Sequence, residues 1–152
     1  MKSFWVIILA AALAIPLFGA EPNKVERNDL LKDEAWLREY DQYVPDGVLL
    51  ESLKNKISGT LKIVVYFGFW CSDSGNNVPK VLKILDNLPA PGLKADFFSL
   101  ERKANKDQKY YVEGMKIERI PTIIFFRDGR EIGRIVESPK TEMLEDILTI
   151  VF

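Results

Sequence analysis

The 152-residue chain contains no histidine and only one cysteine. Without histidine there is no imidazole general base, no Cys–His dyad and no histidine-ligated metal. A single cysteine, Cys71, excludes an internal disulfide and a cysteine-rich zinc site. No long basic run interrupts the chain, so neither nucleic acid nor an anionic membrane surface is favoured as a partner. Internal repeats and low-complexity blocks are also absent. The uncharged apolar stretch "FWVIILAAALAIPLF", Phe4 to Phe18, has 15 residues and carries Pro16 near its end. A membrane span needs about 20.

That stretch instead has the layout of a secretory signal peptide over residues 1–20. Lys2 provides the positive start, and the small residues Gly19 and Ala20 precede the charged "EPNKVERND". No cysteine lies near the expected cut, which excludes a lipid-modified N-terminal cysteine. Export to the periplasm or the medium is therefore expected, with no stable membrane insertion after cleavage. Cutting after Ala20 leaves 132 residues with 20 basic and 22 acidic side chains, a net charge of −2. This length suits one domain with a real core, residues 21–152.

Hydrophobic periodicity outlines that domain. Leu30, Leu31, Trp36, Leu37 and Tyr40 predict a helix over about 25–40. "VPDG" predicts a turn, and "VLLESLKNKI" a second short amphipathic helix ending near Gly59. "LKIVVYFGF", Leu61 to Phe69, is β-branched, aromatic and nearly unbroken, the pattern of a strand covered on both faces. After Cys71 the period changes: Val78, Val81, Leu82, Leu85 and Leu88 share one helical face, with Pro79 expected to kink the helix. "KADFFSL" reads as a strand, and "ERKANKDQK" as a solvated stretch opening a polar helix toward "YYVEG", with Gly114 as its stop. "TIIFF", Asp128-Gly129 and "EIGRIVE" predict a hairpin. Ser138 as N-cap and Pro139 as first residue predict the start of the last helix. The order after residue 58 is β-α-β-α-β-β-α, a mixed sheet, parallel first and then antiparallel.

Cys71 thus falls where a strand gives way to a helix N-terminus. Unpaired backbone N–H groups and the helix dipole favour an anion there, and a thiolate so placed attacks disulfides at neutral pH. Trp70 is expected to cover one side of the sulfur, and Ser74, one turn on, to donate its hydroxyl to the thiolate. Asp73 opposes the effect, since a nearby carboxylate disfavours a second negative charge. The competing reading is a free cysteine that only fills space in the core. Carboxylate pairs such as Asp33-Glu34 and Glu142 with Glu145-Asp146 read as solvated faces.

"VVYFGFWC", Pro79 eight residues after the cysteine, and "RIPTIIFFRDGREIG" together resemble the thioredoxin family over about Leu50 to Phe152. The variant "WCSDS" with "VPKVLKIL" is most similar to an exported bacterial group with a Trp-Cys-x-Asp-Ser motif. The resemblance implies a thioredoxin-like α/β fold: a mixed four- to five-stranded sheet flanked by helices. The core is then 59–152, with 21–58 an added N-terminal helical extension. It also implies that Cys71 is the nucleophile and that Ile120-Pro121-Thr122 is a cis-proline segment facing it. Gly129 matches the glycine of the hairpin turn. With Trp70 and Asp73, those three residues would line a substrate groove. Ser74 stands in the place of the family's resolving cysteine, and Val65 in that of a buried proton-relay acid. The expected activity is therefore monothiol exchange with protein or small-molecule disulfides and thiols, needing no cofactor and no metal. The alternative is a non-catalytic thioredoxin-fold module for peptide binding or assembly.

Overall fold

The computed structural model describes residues 22–102, 110–112 and 114–152. The expected signal peptide and most of "ERKANKDQK" lie outside the described residues. Among the described residues no helix is long and apolar enough to cross a membrane.

The chain opens with a short strand β1 (Asn23–Val25), then helices α1 (Arg27–Leu30), α2 (Glu34–Gln42) and α3 (Gly47–Lys56). Strand β2 (Leu61–Phe67) leads into α4 (Ser72–Asp86), followed by β3 (Leu93–Ser99). Two short strands, β4 (Tyr110–Val112) and β5 (Met115–Ile117), pair with each other. The hairpin β6 (Thr122–Arg127) and β7 (Arg130–Val136) and the helix α5 (Met143–Val151) complete the fold. The main sheet has the order β1-β3-β2-β6-β7. β2 and β3 run parallel, and the other neighbouring pairs are antiparallel. This is the mixed, helix-flanked α/β sheet that the sequence implies.

β2 lies at the centre and its alternation builds both cores. Leu61, Ile63, Val65 and Phe67 enter the larger cluster with the inner faces of α4 and α5, whereas Val64 and Tyr66 join Ile117, Ile120 and Ile124 on the opposite face. Ile123 and Phe125 of β6 follow the first set and Ile124 the second, as a two-residue period requires. Each fully buried side chain of this kind contributes about 1.5–3 kcal/mol. Helix α4 continues through Pro79 to Asp86, although that proline deprives the Gly75 carbonyl of its usual donor.

Three expectations about elements are corrected. The helix expected over 25–40 is divided: Val25 belongs to β1, and Asp33 starts a new helix by accepting from Ala35 N (2.8 Å) and Trp36 N (3.3 Å). Asp33 is thus a cap as well as an exposed carboxylate. Tyr110–Val112 is extended rather than helical, because it pairs antiparallel with Met115–Ile117 around Gly114 at φ 70°. The last helix starts at Met143, not at Pro139. Its N-cap is Glu142, which accepts from Leu144 N at 2.8 Å. Ser138 is held instead in a bend, with its N–H donated to Val136 O and its hydroxyl close to Asn77.

The N-terminal elements are tied to the rest by strand pairing and polar contacts. β1 lies along the free edge of β3, and Lys24 and Lys62 both reach Asp96 at 2.9 Å, linking three strands. Asp86 on α4 accepts from Arg27 and, at 2.7 Å, from Tyr40 OH. The bond to Asp86 pushes the Tyr40 hydroxyl up to about 12. Tyr43 OH donates to Glu142 at 2.5 Å, connecting the end of α2 to the start of α5, and burial together with that carboxylate raises its pKa further.

Candidate active site

The end of β2 and the first turn of α4 form the site. After Phe67 the backbone turns through Gly68, whose carbonyl accepts from Cys71 N at 3.0 Å. A side chain at residue 68 is excluded: a Cβ there would lie 2.8 Å from the Trp70 indole and 3.0 Å from Ile120 Cδ1. Glycine is therefore what allows the tryptophan and the Ile120 loop to close over the turn. Cys71 is extended (φ −98°, ψ 120°) and occupies the N-cap position of α4, with Gly75 N donating to its carbonyl at 3.0 Å. Its side chain caps no backbone N–H, so the first-turn donors have no side-chain acceptor from residue 71.

The sulfur is half-buried. Its S–H donates to Ile120 O at 3.6 Å, across 49 residues of sequence. The Ile120–Pro121 peptide bond is cis. Ile120, Pro121 and Thr122 are buried, and the Thr122 hydroxyl donates to Arg119 O at 2.6 Å. Pro121 O accepts from Glu137 N at 2.7 Å, which fastens the loop to the end of β7. Trp70 is 39% exposed and held in place: its indole N–H donates to Leu100 O (3.1 Å) and the Arg102 guanidinium lies 4.9 Å from its ring.

Ser74 is fully buried, and its oxygen accepts from Gly68 N at 3.2 Å. The bond it makes therefore fixes the loop before Cys71. Asp73 is half-buried on the same first turn. The structure thus gathers Trp70, Cys71, Asp73 and Ser74 at one junction and sets Ile120 against the sulfur, with Pro121 and Thr122 behind it. Among the described residues the buried polar side chains are Ser74, Asn77 and Thr122, so no buried carboxylate is found there, and Val65 is a fully buried core residue.

Sequence reasoning missed two contributors. Asn77 donates to Asp73 O (2.9 Å) and Glu137 O (3.1 Å), tying the first turn of α4 to the loop after β7. Nothing in its sequence setting distinguishes it from a surface asparagine. The other is α2. Trp36 stacks obliquely against Phe67 and Phe69, with ring centroids 5.3 and 5.1 Å away, and so brings α2 beside the cysteine. A cleft of about 390 Å³ separates α2 from the first turn of α4, and Cys71 forms part of its lining. The clue was the mixture in "EAWLREYDQ" of an apolar stripe with a strongly polar opposite face.

Comparison with known proteins agrees with this architecture. A thioredoxin H-type protein from Fagopyrum esculentum is 29% identical over 94 residues, covering 62% of this chain and 75% of its own. A thioredoxin from Chlamydia pneumoniae is 27% identical over 100 residues, 64% of this chain and 89% of its own. The fold is similar to that of a Pseudomonas aeruginosa protein of unknown function, with a TM-score of 0.63 and 16% identity over 84% of this chain and 92% of the other. The family model described as thioredoxin matches residues 20–148, which takes in both the N-terminal elements and the Cys71 junction. The chain belongs to the thioredoxin family.

Proposed function

We propose that this protein is an exported thiol–disulfide exchange factor that works with a single thiol, Cys71. In this reading residues 1–20 are its signal peptide and 21–152 its one working domain. The observation that carries the proposal is the placement of a lone, half-buried sulfur at an otherwise uncapped helix N-terminus. Kinship with thioredoxins makes protein and small-molecule disulfides and thiols the natural substrates.

The Cys71 thiolate attacks one sulfur of a disulfide. The substrate S–S bond breaks, a new bond forms to Sγ, and the departing thiolate takes a proton from water. An external thiol then attacks the mixed disulfide and releases Cys71, so one disulfide is exchanged for another. Loss of the S–H proton also frees Ile120 O, which can then accept from an extended substrate chain lying along the Ile120–Thr122 segment. The N-terminus of α4 stabilises the thiolate. Ser74, by accepting from Gly68 N, holds the loop that presents the sulfur.

Mixed disulfides should accumulate on the wild-type protein without any trapping mutation, because Ser74 has no sulfur with which to resolve them. They should disappear on adding a small thiol, at a rate proportional to its concentration. Pull-downs from an exported-protein extract with wild type and Cys71→Ser, with and without reductant, provide the test. Equal retention by both proteins, indifferent to reductant, overturns the exchange reading and leaves the peptide-binding module.

A further inference from the structure

We infer that the cleft between α2 and the first turn of α4 is a peptide subsite, which takes a neutral or basic segment of a protein disulfide substrate while Cys71 exchanges with its sulfur. This rests on the exchange reading of Cys71. The cleft includes Trp36, Arg38, Glu39, Phe69, Cys71 and Gly75 in its walls. It therefore extends away from the cysteine along a helix that belongs to the N-terminal extension. Its volume falls within the range of sites that enclose small ligands or peptide side chains.

A second feature, independent of the cysteine, points to a ligand. Trp36 is 3% exposed, yet its indole N–H finds no acceptor among the described residues. Most of the side chain is buried, but the nitrogen itself opens on the cleft, where water holds it until a ligand supplies a fixed acceptor. The N–H edge faces Gly75, where an added Cβ would lie 3.3 Å from Nε1. Glycine there keeps the approach open. Unlike Arg127 Nε, which is sealed in without a partner, the Trp36 nitrogen retains access to the cleft.

The acceptor best suited to one fixed donor is a backbone carbonyl, which every peptide presents whatever its side chains. Phe69 and Trp70, 44% and 39% exposed, offer apolar surface at the mouth. The charges narrow the class further. Asp33 and Glu39 stand against Arg38 alone in the lining, so the wall is net negative. It disfavours an anionic small thiol and favours a chain with lysine or arginine beside its cysteine.

The test uses three probes that release nitrothiobenzoate when Cys71 attacks. One is the small disulfide dithiobis(nitrobenzoate). The others are short cysteine peptides, flanked by lysine or by glutamate, carried as mixed disulfides with nitrothiobenzoate. Trp36→Phe should slow the lysine peptide about fivefold more than it slows the small disulfide, the worth of one hydrogen bond. Gly75→Ala, which lays a methyl group against the N–H, should do the same if Trp36→Phe proves unstable. Glu39→Gln should narrow the preference for the lysine peptide over the glutamate peptide.

A separate readout needs no chemistry. In ¹⁵N-indole-labelled Cys71→Ser protein, the lysine peptide should shift the Trp36 resonance downfield. If the indole signal shifts but wild-type Cys71 reacts with none of the probes, the subsite stands and the exchange reading falls. Proportional slowing of all three probes by Trp36→Phe, or an indole signal unmoved by peptide, overturns the subsite.

Discussion

Ser74, Asn77 and Thr122 share one occupation. Each directs a buried polar side chain at backbone: Ser74 at Gly68 N, Asn77 at Asp73 O and Glu137 O, and Thr122 at Arg119 O. A buried polar group without such a partner costs about 1–3 kcal/mol, so these bonds fix the three segments that converge on Cys71. At residue 74 the hydroxyl holds the loop before Cys71 by accepting from Gly68 N. Ser74→Cys should place a second sulfur at Cys-x-x-Cys spacing and allow an intramolecular disulfide with Cys71. Its oxidised form should weigh two hydrogens less than the reduced form, and its turnover of a model disulfide with a dithiol should exceed that of the wild type. Intact mass spectrometry decides the matter: no intramolecular bond would place Cys71 and Ser74 in the wrong register with the family motif.

Helix α2 is the element on which the cleft depends, and Asp33 is its starting point. Replacing that cap by alanine should cost about 1 kcal/mol, or about 2–4 °C in Tm for a chain of this size, with serine restoring most of it. Thermal denaturation followed by circular dichroism reads the loss, and an undiminished Tm in Asp33→Ala would deny the cap its weight. The element scale also shows what is legible in a sequence. Strand β2, helix α4 and the β6–β7 hairpin announce themselves because their unbroken β-branched and aromatic run, helical stripe and Asp128-Gly129 turn are local signals. Asp128 and Gly129 take φ 49° and 82°, as a two-residue hairpin turn demands. β1 and β4 are three residues each and exist only through distant or marginal pairing, so no local period marks them. Ser138-Pro139 imitates a helix start, but Asn77 and the left-handed Glu137 (φ 65°) hold that stretch in a bend. The candidate site was equally uneven: Cys71 and Pro121 were legible as motif, whereas the role of Trp36 required knowing where α2 comes to rest.

For the whole molecule, the ion pairs of Asp96 connect β1, β2 and β3 through one carboxylate. Lys62 first and Lys24 next hold that carboxyl below its ordinary value, against a smaller opposing effect of burial. A carboxyl lowered in the folded state binds its proton more weakly there than in the unfolded chain. Its stabilisation is therefore complete above the unfolded pKa near 4 and is lost as pH falls through the folded value. Both lysines are substantially exposed, so solvent screening keeps the effect small. Asp96→Asn should lower Tm by about 2 °C at neutral pH, and the difference from wild type should shrink below about pH 4. A difference that persists unchanged into acid would mean that packing at residue 96, not charge, is responsible.

The outer borders of the main sheet bear on how the molecule lives in a crowd of its own copies. An unfinished sheet border exposes a row of backbone donors and acceptors on which another chain can polymerise. Here Asn23–Val25 covers the Phe97–Ser99 end of that row on β3. The covering strand is itself only three residues long and carries the exposed Lys24. At the far border β7 bears Arg130, Glu131 and Arg134, and its pairing with β6 is irregular at Phe125/Phe126. The β7 border, charged and irregular, and the Phe97–Ser99 end of β3, capped by a short strand with an exposed lysine, are therefore poor templates for stacking.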